Sequence, residues 1–439
     1  LNKPLPAPLP AALPRTSACP GLLRIVAARD GGLCRIKLPG GVITAAGAEA
    51  VADAARQFGN GSVELTNRAN VQLRGITPAN QDRLIALVMA AGLGPASAGA
   101  DDVRNLMLSP MAGLDPSAAL DTRPLAAELL QALEQRPHYH QLSPKFALQL
   151  DGGEALAELQ HAHDLWLSPL WLHEELHLAL GLASAIGNSL PVAAVPFRQG
   201  VALGLAVLDR FLALAGPAPG RMREVLEHYP ASALLEGLDV YQGPFGALPP
   251  RVVPPALGLH LQKQAGQVSV GVSPALGRLP ADALSALARL CCEVAQGELR
   301  LTPWQGVIIP GVAKAQAQAV QAQAQAMGLL VDHRQPLAGL VACTGSAGCQ
   351  RGLADTKADA RQLATLLGRA VPVHLTGCTR SCAYPSVAPM TLLAVSPGRY
   401  DLFSRDPHLP GFGRPLGQDL TVQDAAMHIA ACSRSTFDD

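Results

Sequence analysis

The sequence predicts an α+β protein of two related halves, and three observations carry that prediction. The order strand, helix, strand, strand, helix occurs early in the chain and again from about residue 259. Both occurrences align at a constant offset of 236: Leu65 with Leu301, Thr66 with Thr302, Val71 with Val307, Gly75 with Gly311. Farther on, LDTRPLAAELLQAL from Leu120 overlays ADTKADARQLATLL from Ala354, where Asp121/Asp355 and Thr122/Thr356 coincide at an offset of 234. Solenoid repeats have periods of roughly 20–50 residues, so this duplication is of another kind. Two such copies side by side imply a pseudo-two-fold body with a binding cleft between them.

Each element has a local signal. CRIKLPG, from Cys34, alternates like a strand and stops at the turn Pro39-Gly40-Gly41. AAGAEAVADAARQFG is an alanine-rich helix ended by Gly59 and Gly61. SVEL and VQLRGI are strands flanking Thr66-Asn67-Arg68, and Pro78 opens the helix ANQDRLIALVMAAGL. In the second copy LHLQKQAGQVSVGV, PADALSALARLCCEVA, ELRL, GVIIPGV and AKAQAQAVQAQAQAMG fill the same places, the last an exposed, helix-favouring run. The breakers GPAPG and ALPPRVVPPALG mark boundaries, the second at the junction between the copies. The expected division is an extended tail 1–19, a half-domain 20–95, a lobe 96–250, a half-domain 251–330 and a lobe 331–439.

Composition excludes several function classes. With 439 residues the chain has room for two to four domains of roughly 100–200 residues each. Its 34 basic and 34 acidic side chains cancel, which argues against nucleic acid or an anionic membrane as the main partner. A hydrophobic content of 49% with 15% charged residues excludes a disordered chain. The best apolar run, Val201 to Leu214, is interrupted by Asp209 and Arg210 and is too short to span a bilayer. LNKPLPAPLPAALP is too proline-rich for a signal-peptide core, so the expected location is cytoplasmic.

Nine cysteines, an odd number, do not suggest a disulfide framework. Four are regularly spaced: Cys343 and Cys349 with five residues between, Cys378 and Cys382 with three. Thiolates favour iron–sulfur clusters or zinc, and the first spacing exceeds the usual zinc knuckle. Gly345, Gly348 and Gly377 would let the backbone wrap a bulky core and offer N–H groups to its sulfides. A four-thiolate iron–sulfur cluster is therefore expected; zinc and buried free cysteines are the alternatives. The first copy instead carries Arg68, Arg74 and Arg104, where the second has Trp304, Pro310 and no cation. One half is suited to anions, the other to a metal.

CTGSAGC from Cys343 and GCTRSC from Gly377 resemble the cluster-binding half of the sirohaem sulfite/nitrite reductases. IKLPGGVIT, LTNRANVQLRGI, DVRNLMLSPMAG and SPKFAL resemble that family's tetrapyrrole-binding half, so the likeness runs from about Gly21 to about Cys432. It implies two ferredoxin-like half-domains in pseudo-two-fold arrangement and two α/β lobes around a tetrapyrrole cleft, with a [4Fe–4S] cluster on Cys343, Cys349, Cys378 and Cys382. ACPG at Ala18–Gly21 and the modest length resemble a branch that hydroxylates precorrin-3A with O2, forms a ring-A lactone and draws its electrons from NADH. The reductases' R-K-F-K pattern reads Ser143-Pro144-Lys145-Phe146-Ala147 here, which weakens six-electron sulfite reduction. By this resemblance Arg104 and Lys145 are the candidate catalytic residues. Arg35, Lys37, Arg68, Gln72, Arg74 and Asn105 are the candidate substrate-binding ones, Arg–carboxylate pairs being the strong contacts for a macrocycle rimmed with acids. A non-haem iron near the substrate is also implied, without identifiable ligands; sirohaem is expected only if the chain is a sulfite or nitrite reductase. No GxGxxG follows a strand, so a separate NADH-dependent reductase is the expected electron donor.

Other signals are set aside. His173-Glu174-Glu175-Leu176-His177 matches H-E-x-x-H, but leucine alternation gives a strand period, which puts positions four apart roughly 13 Å from each other. His138/His140 and His161/His163 are expected to face solvent. Cys291 and Cys292 are expected to pack in a helix, and Cys34 in the core. Cys19 suits either the cleft or a structural role.

Overall fold

A computed structural model describes residues 19–435 except 385; the tail expected over 1–19 lies, apart from Cys19, outside them. The first half-domain runs β1 (Val26–Ala28), β2 (Gly31–Ile36), β3 (Val42–Thr44), α1 (Ala45–Phe58), β4 (Ser62–Leu65), β5 (Val71–Ile76) and α2 (Gln81–Ala90). The first lobe follows with β6 (Leu106–Met107), α3 (Arg123–Gln135), β7 (Leu148–Leu150), β8 (His163–Leu172), β9 (Glu175–Ser184), β10 (Ala193–Pro196), α4 (Gly200–Ala215), α5 (Met222–Leu226) and α6 (Ala231–Leu235). The second half-domain has β11 (Gly258–Leu261), β12 (Gln267–Val272), β13 (Arg278–Pro280), α7 (Ala281–Val294), β14 (Glu298–Leu301), β15 (Val307–Ala313) and α8 (Ala317–Ala326). The second lobe closes the chain with β16 (Leu340–Ala342), α9 (Thr356–Leu367), β17 (Val373–Thr376), β18 (Met390–Ser396), β19 (Arg399–Ser404), β20 (Arg414–Thr421) and α10 (Val422–Ser435).

The duplication is visible in the topology. Helices α1 and α7, and likewise α2 and α8, begin and end at the same offset of 236. One half-domain sheet has the order β1-β2-β5-β4-β13 and the other β11-β12-β15-β14-β3. Each therefore takes its fifth strand from the other copy: β13 pairs antiparallel with β4, and β3 with β14. Neither the 20–95 nor the 251–330 segment completes its sheet alone. Their alanine-rich helices α1 and α7 pack together, and one hydrophobic core runs through both half-domains. The matched glycines Gly75 and Gly311 both take positive φ, 75°, where β5 and β15 bulge against β2 and β12.

The lobes repeat as well. Each has a five-stranded sheet whose first strands are parallel neighbours, β6-β7-β8 in one and β16-β17-β18 in the other. His173 and Glu174 form the turn between β8 and β9, both at positive φ, so H-E-x-x-H lies on no helix. Cys34 and Cys291 are buried as expected, whereas Cys292 is exposed: it lies one position round the helix from the core face. Among the described residues no helix is long and apolar enough to cross a membrane.

Candidate functional site

Parallel pairing explains how the two cysteine pairs meet. β16 and β17 are neighbours in register, Ala342 opposite Leu375. The turns leaving them start side by side at Cys343 and Gly377. The Gly377 N–H donates to Cys343 Sγ at 3.2 Å, the backbone-to-sulfur bond a cluster ligand needs. Gly345 has φ +65°, and a Cβ there would sit 2.5 Å from the Ala354 carbonyl oxygen, so only glycine fits this turn. All four cysteines are free; Cys343, Cys349 and Cys378 are half-buried and Cys382 is exposed. Burial, followed by the charges of Cys378, Cys343 and Cys349, raises the Cys382 pKa. Among the described residues no three His, Cys, Asp or Glu side chains, these thiols included, are gathered closely enough to hold a single ion. A four-iron core is bulkier than one ion, and the free thiols, glycine turn and N–H donor fit it. Among the described residues no ligand set for a mononuclear iron is gathered.

A cationic hollow adjoins the second cysteine turn. Asn67 Nδ2 donates to the Cys382 carbonyl oxygen at 3.2 Å, bringing the Thr66-Asn67-Arg68 turn against it. The Arg68 Nε is buried without a hydrogen-bond partner among the described residues. Burial, with Arg35 and Arg221 nearby, lowers its pKa to about 10. Arg35 is also lowered by burial, is within the field of Cys19 and Cys382, and donates to Gln72 Oε1 at 2.8 and 3.2 Å. Gln72 Oε1 is therefore the acceptor that aims Arg35. Arg221 is paired with Asp164, but among the described residues neither Arg35 nor Arg68 has a carboxylate within ion-pair distance, which makes these two a candidate anion site.

Beside Arg68 lies a small cavity of about 10 Å³, also lined by Asn70, Arg104, Asn105, Ala147 and His163. That is room for about one water molecule, far below the roughly 300–1,000 Å³ that encloses a drug-sized ligand. Its walls bring two guanidinium groups, Arg68 and Arg104, to one place. Arg104 is ion-paired to Glu134 at 3.0 Å and lowered by burial.

Three other expected ligands are committed elsewhere. Lys37 donates to the Asp102 carbonyl at 2.9 Å, and burial lowers its pKa to about 8. Asn105 spends its amide on the carbonyls of Asp102, Pro144 and Phe146, which clamps the exposed Lys145 turn. Arg74 binds Asp30 and the Gly348 carbonyl beneath the first cysteine turn. It shares a sheet face with Gln72, as alternation predicts, but two residues along that strand lies the cluster lobe instead of the hollow.

Sequence reasoning missed three residues here. His161 and His163 are buried rather than solvent-facing, 4% and 1% exposed. Burial first, with cationic neighbours Arg68 and Arg221, holds His161 down at about 3; His163 lies well below its ordinary value from burial, then His161 and Arg68. Arg221, the N-cap of α5, pairs with Asp164 at 2.8 Å and had no motif to mark it.

Comparison with known proteins matches these parts. The nitrite/sulfite reductase ferredoxin-like half domain matches residues 27–91 and 260–327. The nitrite and sulphite reductase 4Fe-4S domain matches 99–240, a stretch that itself has no cysteine. A ferredoxin–nitrite reductase of Synechococcus elongatus is 28% identical, covering 91% of this chain and 83% of that protein. A precorrin-3B synthase of Sinorhizobium is also 28% identical, over 88% and 82%. The chloroplastic ferredoxin–nitrite reductase of Zea mays is 31% identical over 81% and 68%. The Mycobacterium tuberculosis NirA protein superposes with a TM-score of 0.75 at 21% identity, covering 92% of this chain and 80% of that one.

Proposed function

Because this chain belongs to the nitrite and sulfite reductase family, an oxidoreductase family, we propose that it is a precorrin-3B synthase. In this reading it hydroxylates precorrin-3A with O2 and closes a ring-A lactone, with electrons drawn from NADH through a separate reductase. The observation that carries the proposal is Ala147. It lines the cavity with Arg68 and Arg104, at the position where the reductases' pattern has a second lysine. A methyl group there removes a cation that would hold and protonate sulfite. Similarity to the Sinorhizobium precorrin-3B synthase over 88% of this chain supports the same reading.

Arg35 and Arg68 would hold acid arms of the macrocycle, each charged hydrogen bond contributing about 1.5–3 kcal/mol. Arg104, held by Glu134, would present a further cation at the cavity wall. Cys343, Cys349, Cys378 and Cys382 would hold a [4Fe–4S] cluster, which supplies single electrons when bound. Side chains alone cannot activate O2.

A sirohaem-dependent nitrite or sulfite reductase is the second reading. It is favoured by the ferredoxin–nitrite reductase relatives and by the cations Arg68 and Arg104, which line one small cavity. Anaerobically purified protein separates the two. A brown protein without a haem band that converts precorrin-3A only under O2 and reductant is the expected result. A strong sirohaem band with nitrite turnover would replace the first reading by the second. Arg68→Ala should weaken precorrin-3A binding at least about tenfold with the cluster absorbance intact; unchanged affinity would remove Arg68 from the site.

A further inference from the structure

The cysteine turn after β16 rests on a buried network of charges. Glu64, on β4, faces Arg278 of the exchanged strand β13, which donates to it at 2.6 Å. Arg74 Nη1 and Lys357 Nζ each lie 3.9 Å from the same carboxylate, and the Thr344 hydroxyl donates to it at 3.4 Å. Burial opposes the charge on Glu64, yet Lys357, Arg278 and Arg74 hold its pKa below the usual carboxylate range. Arg74 also donates to Asp30 at 2.8 and 3.0 Å and to the Gly348 carbonyl at 2.5 Å. These contacts reach the ligand turn itself, since Thr344 follows Cys343 and Gly348 precedes Cys349. Lys357 adjoins Thr356, whose hydroxyl donates to the Cys343 carbonyl at 2.8 Å.

The duplication supplies an internal comparison. At the offset of 236, Arg300 stands for Glu64, Pro310 for Arg74, Gly266 for Asp30 and Val42 for Arg278. Lys357 corresponds to Arg123, an exposed residue paired with Asp121. Beneath the cysteine-free turn, Arg300 donates to the Pro110 and Ala112 carbonyls at 3.2 and 2.7 Å. Arg300 also donates to Glu298 at 2.7 Å, and the Ser109 hydroxyl donates to the Leu156 carbonyl at 2.7 Å. At the corresponding positions the cysteine-free half does not repeat the three cations set against two carboxylates.

We infer that Arg74, Arg278 and Lys357, positioned by Glu64 and Asp30, are an electrostatic platform that eases one-electron reduction of the cluster held by Cys343 and its partners. The inference rests on the iron–sulfur reading above. Reduction adds negative charge to the cluster, and net positive charge packed against its ligand turn in a low-dielectric interior favours that state. These residues tune the centre; they do not touch substrate.

The test is the cluster midpoint potential of the full chain, followed by EPR during anaerobic redox titration, with iron and sulfide content measured alongside. Lys357→Met should make reduction harder and Glu64→Gln should make it easier. Each should shift the reduction equilibrium about tenfold, or ~59 mV for one electron, in opposite directions. Arg74→Gln and Asp30→Asn repeat the two signs should the more buried variants not fold. Loosened packing would move every variant the same way. Potentials that stay fixed, or move in one direction only, with iron and sulfide at wild-type content would overturn the platform. Wild-type protein lacking iron and sulfide would instead overturn the cluster reading, and this inference with it.

Discussion

Burial behind Arg68 keeps His161 and His163 neutral, and this has a consequence for acid stability. Unfolded, His161 takes a proton near its ordinary value of about 6.5; folded, it does so only at about 3. The unfolded chain therefore binds more protons between these values, and stability falls as pH drops from about 6.5 toward 3. His161→Gln should flatten that loss. Urea midpoints at about pH 7.5 and about pH 5 measure it; a variant with the wild-type difference would deny His161 the role. The H-x-H spacing was legible in the sequence, but its burial was not. The stretch before β8 has no period, and what buries the pair, Arg68 among it, comes from a segment almost a hundred residues away. Arg35 and Arg68 were readable from their motifs, whereas Arg74 was misassigned: strand alternation gives a side chain's face, not which neighbour waits at each end of it.

Among the elements, α1, α7, β4 and β5 follow from periodicity and glycine stops, and the repeated offset ties each to its counterpart. The exchange of β3 and β13 could not be read. Val42–Thr44 and Arg278–Pro280 are three residues each, too short for alternation to register, and each pairs with a strand of the other copy. Thr44 joins both levels, ending β3 opposite Glu298 and capping α1 by accepting from the Gly47 N–H at 3.0 Å. Thr44→Ala should cost about 1 kcal/mol in denaturant unfolding, the usual cost of a lost N-cap, while leaving iron content unchanged. A loss below ~0.3 kcal/mol would show that the hydroxyl does not cap the helix.

For the whole molecule, duplication set two lobes on a shared pair of half-domains, and sequence divergence then gave them different chemistry. Cysteine spacing made the metal half legible because the ligands sit in short turns rich in glycine. The anion half was only partly legible, since its cations come from β2, the turn before β5 and the start of α5, and only the first two belong to recognisable motifs. In the proposed reading function follows from the adjacency of the halves: Asn67 touches the Cys382 turn, so a molecule held by Arg35 and Arg68 would lie next to the proposed cluster. The most direct measurement is iron and acid-labile sulfide analysis of anaerobically purified wild type and Cys343→Ser. The account predicts about four irons and four sulfides per chain in the wild type, and loss of both, with loss of activity, in the variant. Full iron and sulfide in Cys343→Ser, or a wild type that carries zinc, would contradict it.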